Sequence, residues 1–211
     1  MLKPILKEPS VNESERILSA IVSNTFFSLW CYPSLFRSVG KGKEFADLTI
    51  FFNNTLIIFS DKGHVNFQEQ NDVQLAWSRW YRAAVRESAK QLYGAESFVR
   101  NHPDKLFLNS RLEDPFPFDL TKPGLKIHLV AVTGGIGQHA QRFFNSVGPG
   151  SNGTLVYHYE VPENYLMEKP FIVGDVDPRK TFVHVLDESG LKLLFEELCT
   201  PADFIHYLET K

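Results

Sequence analysis

The chain has 211 residues, 43% of them hydrophobic and 22% charged, with a formal net charge of −3. That length holds one substantial core, and the near-neutral balance carries no global signal for a nucleic-acid or acidic partner, so any basic surface has to be local. Two cysteines, Cys31 and Cys199, exclude a disulfide framework and a paired zinc motif.

The opening stretch "MLKPILKEPSVNESER" lacks the apolar centre of a signal peptide, and no later run approaches a membrane span. A cytoplasmic protein with no membrane partner is expected. Ser10 stands three residues before Glu13, the spacing of a capping box, and "ERILSAIVSNTFFSLW" follows with apolar residues at helical intervals. Ile17, Leu18, Ile21, Val22 and Leu29 define one face, Glu15 falls at its edge, and Pro33 closes the segment. On this reading Glu13 has the capping role and Glu15 has none.

Two β-rich runs come next, Glu44 to Phe52 and Thr55 to Lys62, joined by Asn53-Asn54. Asn tolerates positive φ, so the spacing predicts a two-residue hairpin turn. Phe52 then faces Thr55, and Asp47 lies opposite Ser60. Lys62 shares that face, and Asp61 points to the other. Residues 71–101 read as a long helix ended by His102-Pro103. The loop "EDPFPFDLTKPG" leads into a strand, "LKIHLVAVT".

"GGIGQ" reads as a turn and not as a dinucleotide fingerprint, because no βαβ unit is evident after it. "SVGPGSNG" is also turn-rich, while "TLVYHYE" and "TFVHVLD" read as strands. His128, His158 and His184 sit inside apolar strand patterns without the spacing of a zinc site. Two helices close the chain, "ESGLKLLFEEL" and "PADFIHYLE", the second with Thr200 as N-cap and Pro201 in first position. Both are amphipathic, fit for core cover or for a protein partner.

The element order predicts an α/β fold, a mixed sheet with a central β-hairpin flanked by helices. The expected organisation is a core over 1–145 with a C-terminal extension over 146–211 packed on it. Phe171, Phe182, Leu194, Phe204 and Tyr207 are too apolar to leave that extension in water.

The layout of a helix bearing a Glu, a strand with an Asp and a hairpin partner whose end stands where the pattern has acidic-x-Lys resembles the PD-(D/E)XK nuclease superfamily. The likeness runs over residues 10–133 by element order and implies a restriction-endonuclease-like core. It implies Asp47, Lys62, Glu15 and Ser60 as the catalytic positions. Asp47 and Glu15 would hold Mg²⁺ through hard oxygens, and Lys62 would orient or activate the attacking water. Gln91 resembles a polar residue of the long helix in nuclease relatives. Ser60 is the departure, a neutral hydroxyl where the pattern has an acid. Asp61, Glu44 and Glu69 are the candidates to replace the missing charge. The implied function is a Mg²⁺-dependent phosphodiesterase acting on nucleic acid. The alternative is a catalytically inactive nucleic-acid- or protein-binding module of the same fold. The C-terminal part resembles uncharacterised bacterial proteins, which implies no activity.

Arg79, Arg82, Arg86 and Lys90 recur at three- and four-residue steps beside Trp77, Trp80 and Tyr81. They read either as a phosphate-binding stripe with an aromatic stacking on a base or as a solvated face over a core.

Overall fold

The chain folds as a mixed sheet with helices on both faces. The computed structural model describes residues 5–10, 12–38, 42–159 and 161–210. Helix α1 (Glu13–Trp30) runs into an antiparallel meander of β1 (Cys31–Arg37), β2 (Lys43–Phe52) and β3 (Thr55–Lys62). A long helix follows: α2 (Val73–Trp80), a π-helical segment (Tyr81–Arg86) and α3 (Glu87–Asn101). The remaining elements are β4 (Leu106–Phe107), β5 (Lys126–Thr133), α4 (Gly137–Asn145), β6 (Val156–Tyr157), α5 (Glu163–Glu168), β7 (Ile172–Val173), β8 (Val183–Asp187), α6 (Glu188–Glu197) and α7 (Pro201–Glu209).

The main sheet has the order β4-β1-β2-β3-β5-β8, with β5 parallel to β3 and β8 parallel to β5. Asn53 and Asn54 take φ of 47° and 58°, as the expected turn requires. Phe52 pairs with Thr55, and the ladder runs without a bulge to Leu48 opposite Phe59. Strand β3 is buried from Thr55 to Asp61 because both its faces are covered. Leu56 and Ile58 pack with Trp77, Val85 and Leu92 of the long helix. Ile57 and Phe59 pack with Leu18, Val22 and Phe26 of α1 and with Leu191 and Phe204 of α6 and α7. Among the described residues no helix is long and apolar enough to cross a membrane.

Several local expectations are corrected. Asn12, not Ser10, caps α1: its side chain accepts from the Glu15 amide at 3.0 Å, and its Nδ2 donates to Glu15 Oε1. The capping-box spacing therefore holds two residues later than expected, with Glu15 as the reciprocal partner and Glu13 in a surface ion pair with Arg16. Phe27 leaves the helical region (φ 55°, ψ 156°), so the apolar face does not continue to Leu29. Leu18, Val22 and Phe26 are buried, whereas Ile17 and Leu29 are about half exposed.

Pro33 does not close the segment but lies inside β1, opposite Leu48. Strand β4 covers β1 only at Phe36 and Arg37, so Pro33 occupies an unpaired edge, where a missing N–H does no harm. Of "TLVYHYE" only Val156–Tyr157 is strand, and Glu160 lies outside the described residues, as do Gly40 and Lys41 of the loop before the hairpin. A βαβ crossover does follow β5, because α4 leads on to the parallel β8. Residues after 145 thus contribute a strand of the main sheet. Phe171 and Phe204 are buried, and Phe182, Leu194 and Tyr207 are half-buried.

Trp77, Trp80 and Tyr81 are core residues. Their exposures are 0%, 3% and 0%, and the two indoles donate to the Leu166 and Val65 carbonyls at 2.7 and 3.0 Å. None of the three is available to stack on a base.

Candidate functional site

The β2–β3 ladder ends with Leu48 opposite Phe59, and the polar residues gather beyond it at the open end of the hairpin. The backbone amide of Asp61 donates to Asp47 Oδ2, which ties the acid of one strand to the backbone of the other. Asp47 and Ser60 line a cleft of about 520 Å³ between this end of the sheet and α3, together with Arg37, Glu44, Lys90 and Gln91. Ser60 is buried; its hydroxyl donates to Gln91 Oε1 at 3.0 Å and lies 3.4 Å from Ser88 Oγ. The position where the motif has an acid is thus locked into a neutral hydrogen bond with the long helix.

Charges converge around Asp47. Burial raises its carboxyl above the ordinary range and the Asp61 amide opposes that rise; the Glu15 and Asp61 charges raise it further, while the Lys62 ammonium lowers it. Glu44 is also raised, chiefly by burial, then by Asp47 and Glu15, against a hydrogen bond from Ser34. The Glu15 and Lys62 charges thus both act on the Asp47 carboxyl, but neither residue lines the cleft that Asp47 and Ser60 border. Asn12 orients Glu15 through the bond to Oε1. Mutually repelling carboxylates of this kind favour a bound cation or a shared proton.

Of the three candidates for the missing acid, only Glu44 lines the cleft. Asp61 lies on the opposite face, as alternation requires; its Oδ1 accepts from the Gly63 amide at 2.7 Å, and its Oδ2 is buried without a partner. A Cβ on Gly63 would strike Ser14 Oγ of α1 and touch Asp61 Oδ1, which places Asp61 on the α1 side. Glu69 is engaged elsewhere, with Arg142 at 3.3 Å and His139 at 3.7 Å. Among the described residues no three His, Cys, Asp or Glu side chains are set to hold one ion.

The basic stripe divides. Arg79 donates to Gln70 at 3.2 Å, Arg86 pairs with Glu163 at 2.8 Å, and Arg82 is exposed. Lys90 and Gln91 border the cleft, whereas Arg79, Arg82 and Arg86 do not line it. Arg37 does line it, and sequence reasoning missed that residue because it missed β1.

The chain matches no protein-family model, no curated protein and no solved structure.

Proposed function

We propose that the protein is a metal-dependent phosphodiesterase acting on nucleic acid in the cytoplasm, with a restriction-endonuclease-like core. The observation that supports this reading is the Asp47 carboxylate at the cleft, tied to the Asp61 amide and influenced by the Glu15 and Lys62 charges. The helix–strand–hairpin–helix–strand order supports it, with β5 beside β3.

The donor set fits Mg²⁺. Asp47 and Glu15 would supply hard anionic oxygens, and Mg²⁺ is commonly held by one or two carboxylates, with waters and substrate phosphates completing its shell. A ready-made three-ligand cage is not required. When bound, the metal supplies Lewis-acid polarisation of a phosphoryl oxygen and a more acidic water. The residues do the rest. Asp47, fixed by the Asp61 amide, holds its carboxylate at the cleft. Glu15 adds a second negative charge from α1. Lys62 offsets negative charge as it develops on the phosphate. Gln91, held by Ser60, presents a polar group from the long helix.

Cleavage assays on single- and double-stranded DNA and RNA, with Mg²⁺ and Mn²⁺, test the reading. Activity is expected to need the divalent ion and to vanish in Asp47→Ala and Lys62→Ala. Activity that survives either substitution, or that persists in chelator, removes it.

A second reading rests on Ser60. Its neutral bond to Gln91 fills the second acidic position, which favours a binding module that has lost hydrolysis. Nucleic-acid or protein binding without cleavage under any divalent ion selects that reading.

A further inference from the structure

The cleft contains a guanidinium with an unmade bond. Arg37 ends β1 opposite Lys43, next to β4, and lines the cleft with Asp47, Ser60 and Lys90. Its Cζ lies 5.8 Å from the centre of the Phe98 ring, which steadies one side of the group. Its Nε is buried and meets no acceptor among the described residues. Neither Glu44 nor Asp47 forms an ion pair with it among the described residues, although both line the same cleft.

A charged donor left unmade destabilises the free conformer, so the side chain gains by turning toward an acceptor that enters the cleft. Lys90 stands nearby on α3, exposed, in a loose 3.7 Å contact with Glu87. Two cations thus border a cleft whose interior carries the Glu44 and Asp47 carboxylates. Arg suits a phosphate best because its planar fork meets two oxygens at once.

We propose that Arg37, from the cleft that Asp47 and Lys90 share, anchors a backbone phosphate of a bound nucleic acid. Lys90 is the weaker second contact. This rests on the phosphodiesterase reading and deepens it: Arg37 is a substrate-binding residue, in the role that one of the two readings of the stripe gave to Arg79, Arg82 and Arg86.

The test uses the full chain, a short labelled oligonucleotide and Ca²⁺ in place of Mg²⁺, with binding followed by fluorescence anisotropy across a salt series. Arg37→Gln is expected to weaken binding about tenfold and to make the salt dependence shallower by about one phosphate contact. Arg37→Lys should recover the salt dependence and part of the affinity. Thermal melting of each variant identifies any loss of fold, which a change in salt dependence would not mimic. In Mg²⁺, Arg37→Gln should raise KM with kcat near that of the unsubstituted protein.

Unchanged affinity and salt dependence in Arg37→Gln overturn the proposal, and so does a failure of the unsubstituted protein to bind the oligonucleotide. Binding that depends on Arg37 without any cleavage overturns the hydrolytic reading and leaves the anchor standing.

Discussion

The Asp61 amide donates to the Asp47 carboxylate, so the strand that carries the lysine also fixes the acid. That bond needs an acceptor at residue 47 but not a charge. Burial and the Glu15 and Asp61 charges hold the Asp47 carboxyl above its ordinary range. The folded protein therefore binds that proton more tightly than the unfolded chain. Stability from this group is greatest where it is protonated and falls as pH rises through the window above the usual carboxylate range. Asp47→Asn keeps the acceptor and removes the charge. It should melt higher than the unsubstituted protein at neutral pH, with the difference shrinking toward about pH 4, and it should lose Mn²⁺ binding. Melting curves across pH, paired with Mn²⁺ titration, check both; a lower melting point at neutral pH would count against the like-charge account.

Ser60→Glu restores an anionic ligand opposite Asp47. It should tighten divalent-ion binding by about tenfold, roughly one strong charge-assisted contact. Because Ser60 is buried against Gln91 and Ser88, the metal-free variant should be less stable than the parent, and added Mg²⁺ or Mn²⁺ should recover the loss. Calorimetric titration and metal-dependent melting read the two effects separately. Unchanged metal affinity would sink the ligand-number argument.

Asn12→Ala removes both the α1 cap and the bond that orients Glu15. The cap should cost about 1 kcal/mol in denaturant unfolding. Loss of orientation at Glu15 should weaken divalent-ion binding by about 10–100-fold. Asn12→Asp is a useful contrast, since it keeps the acceptor for the Glu15 amide but cannot donate to Glu15.

Trp77→Ala should destabilise the fold by about 3–5 kcal/mol, with the Leu166 carbonyl left without its indole donor. Oligonucleotide binding should leave Trp77 and Trp80 fluorescence unchanged, because both rings lie in the core. Strong quenching on binding would return them to the interface.

The hairpin was legible because two signals agree. Two β-rich runs marked the strands and Asn53-Asn54 marked the turn, so the register from Phe52–Thr55 to Leu48–Phe59 could be counted out. Strand β1 was hidden because it abuts α1 without a spacer and contains Pro33, which reads as a stop unless the edge position is known. Arg37 disappeared with it. The cap at Asn12 was misplaced because Ser10 and Asn12 both precede a Glu by three, and nothing local separates two good caps. The fate of Arg86 rested on Glu163, a partner far along the chain that no periodicity reaches.

The π-helical segment shifts the phase of the long helix. The Glu87 amide bonds back to the Arg82 carbonyl, five residues earlier, so the long helix stores one residue more than a regular α-helix over the same span. Each residue is worth about 100° of turn, and every position after the segment is offset by that amount from where its number places it. Arg79 and Lys90 stand about three α-helical turns apart on paper and out of phase in the folded chain. Deleting the exposed Ala83 should yield a regular helix with Gln91 still against Ser60. The continuous cationic line belongs to a regular helix that this chain does not form.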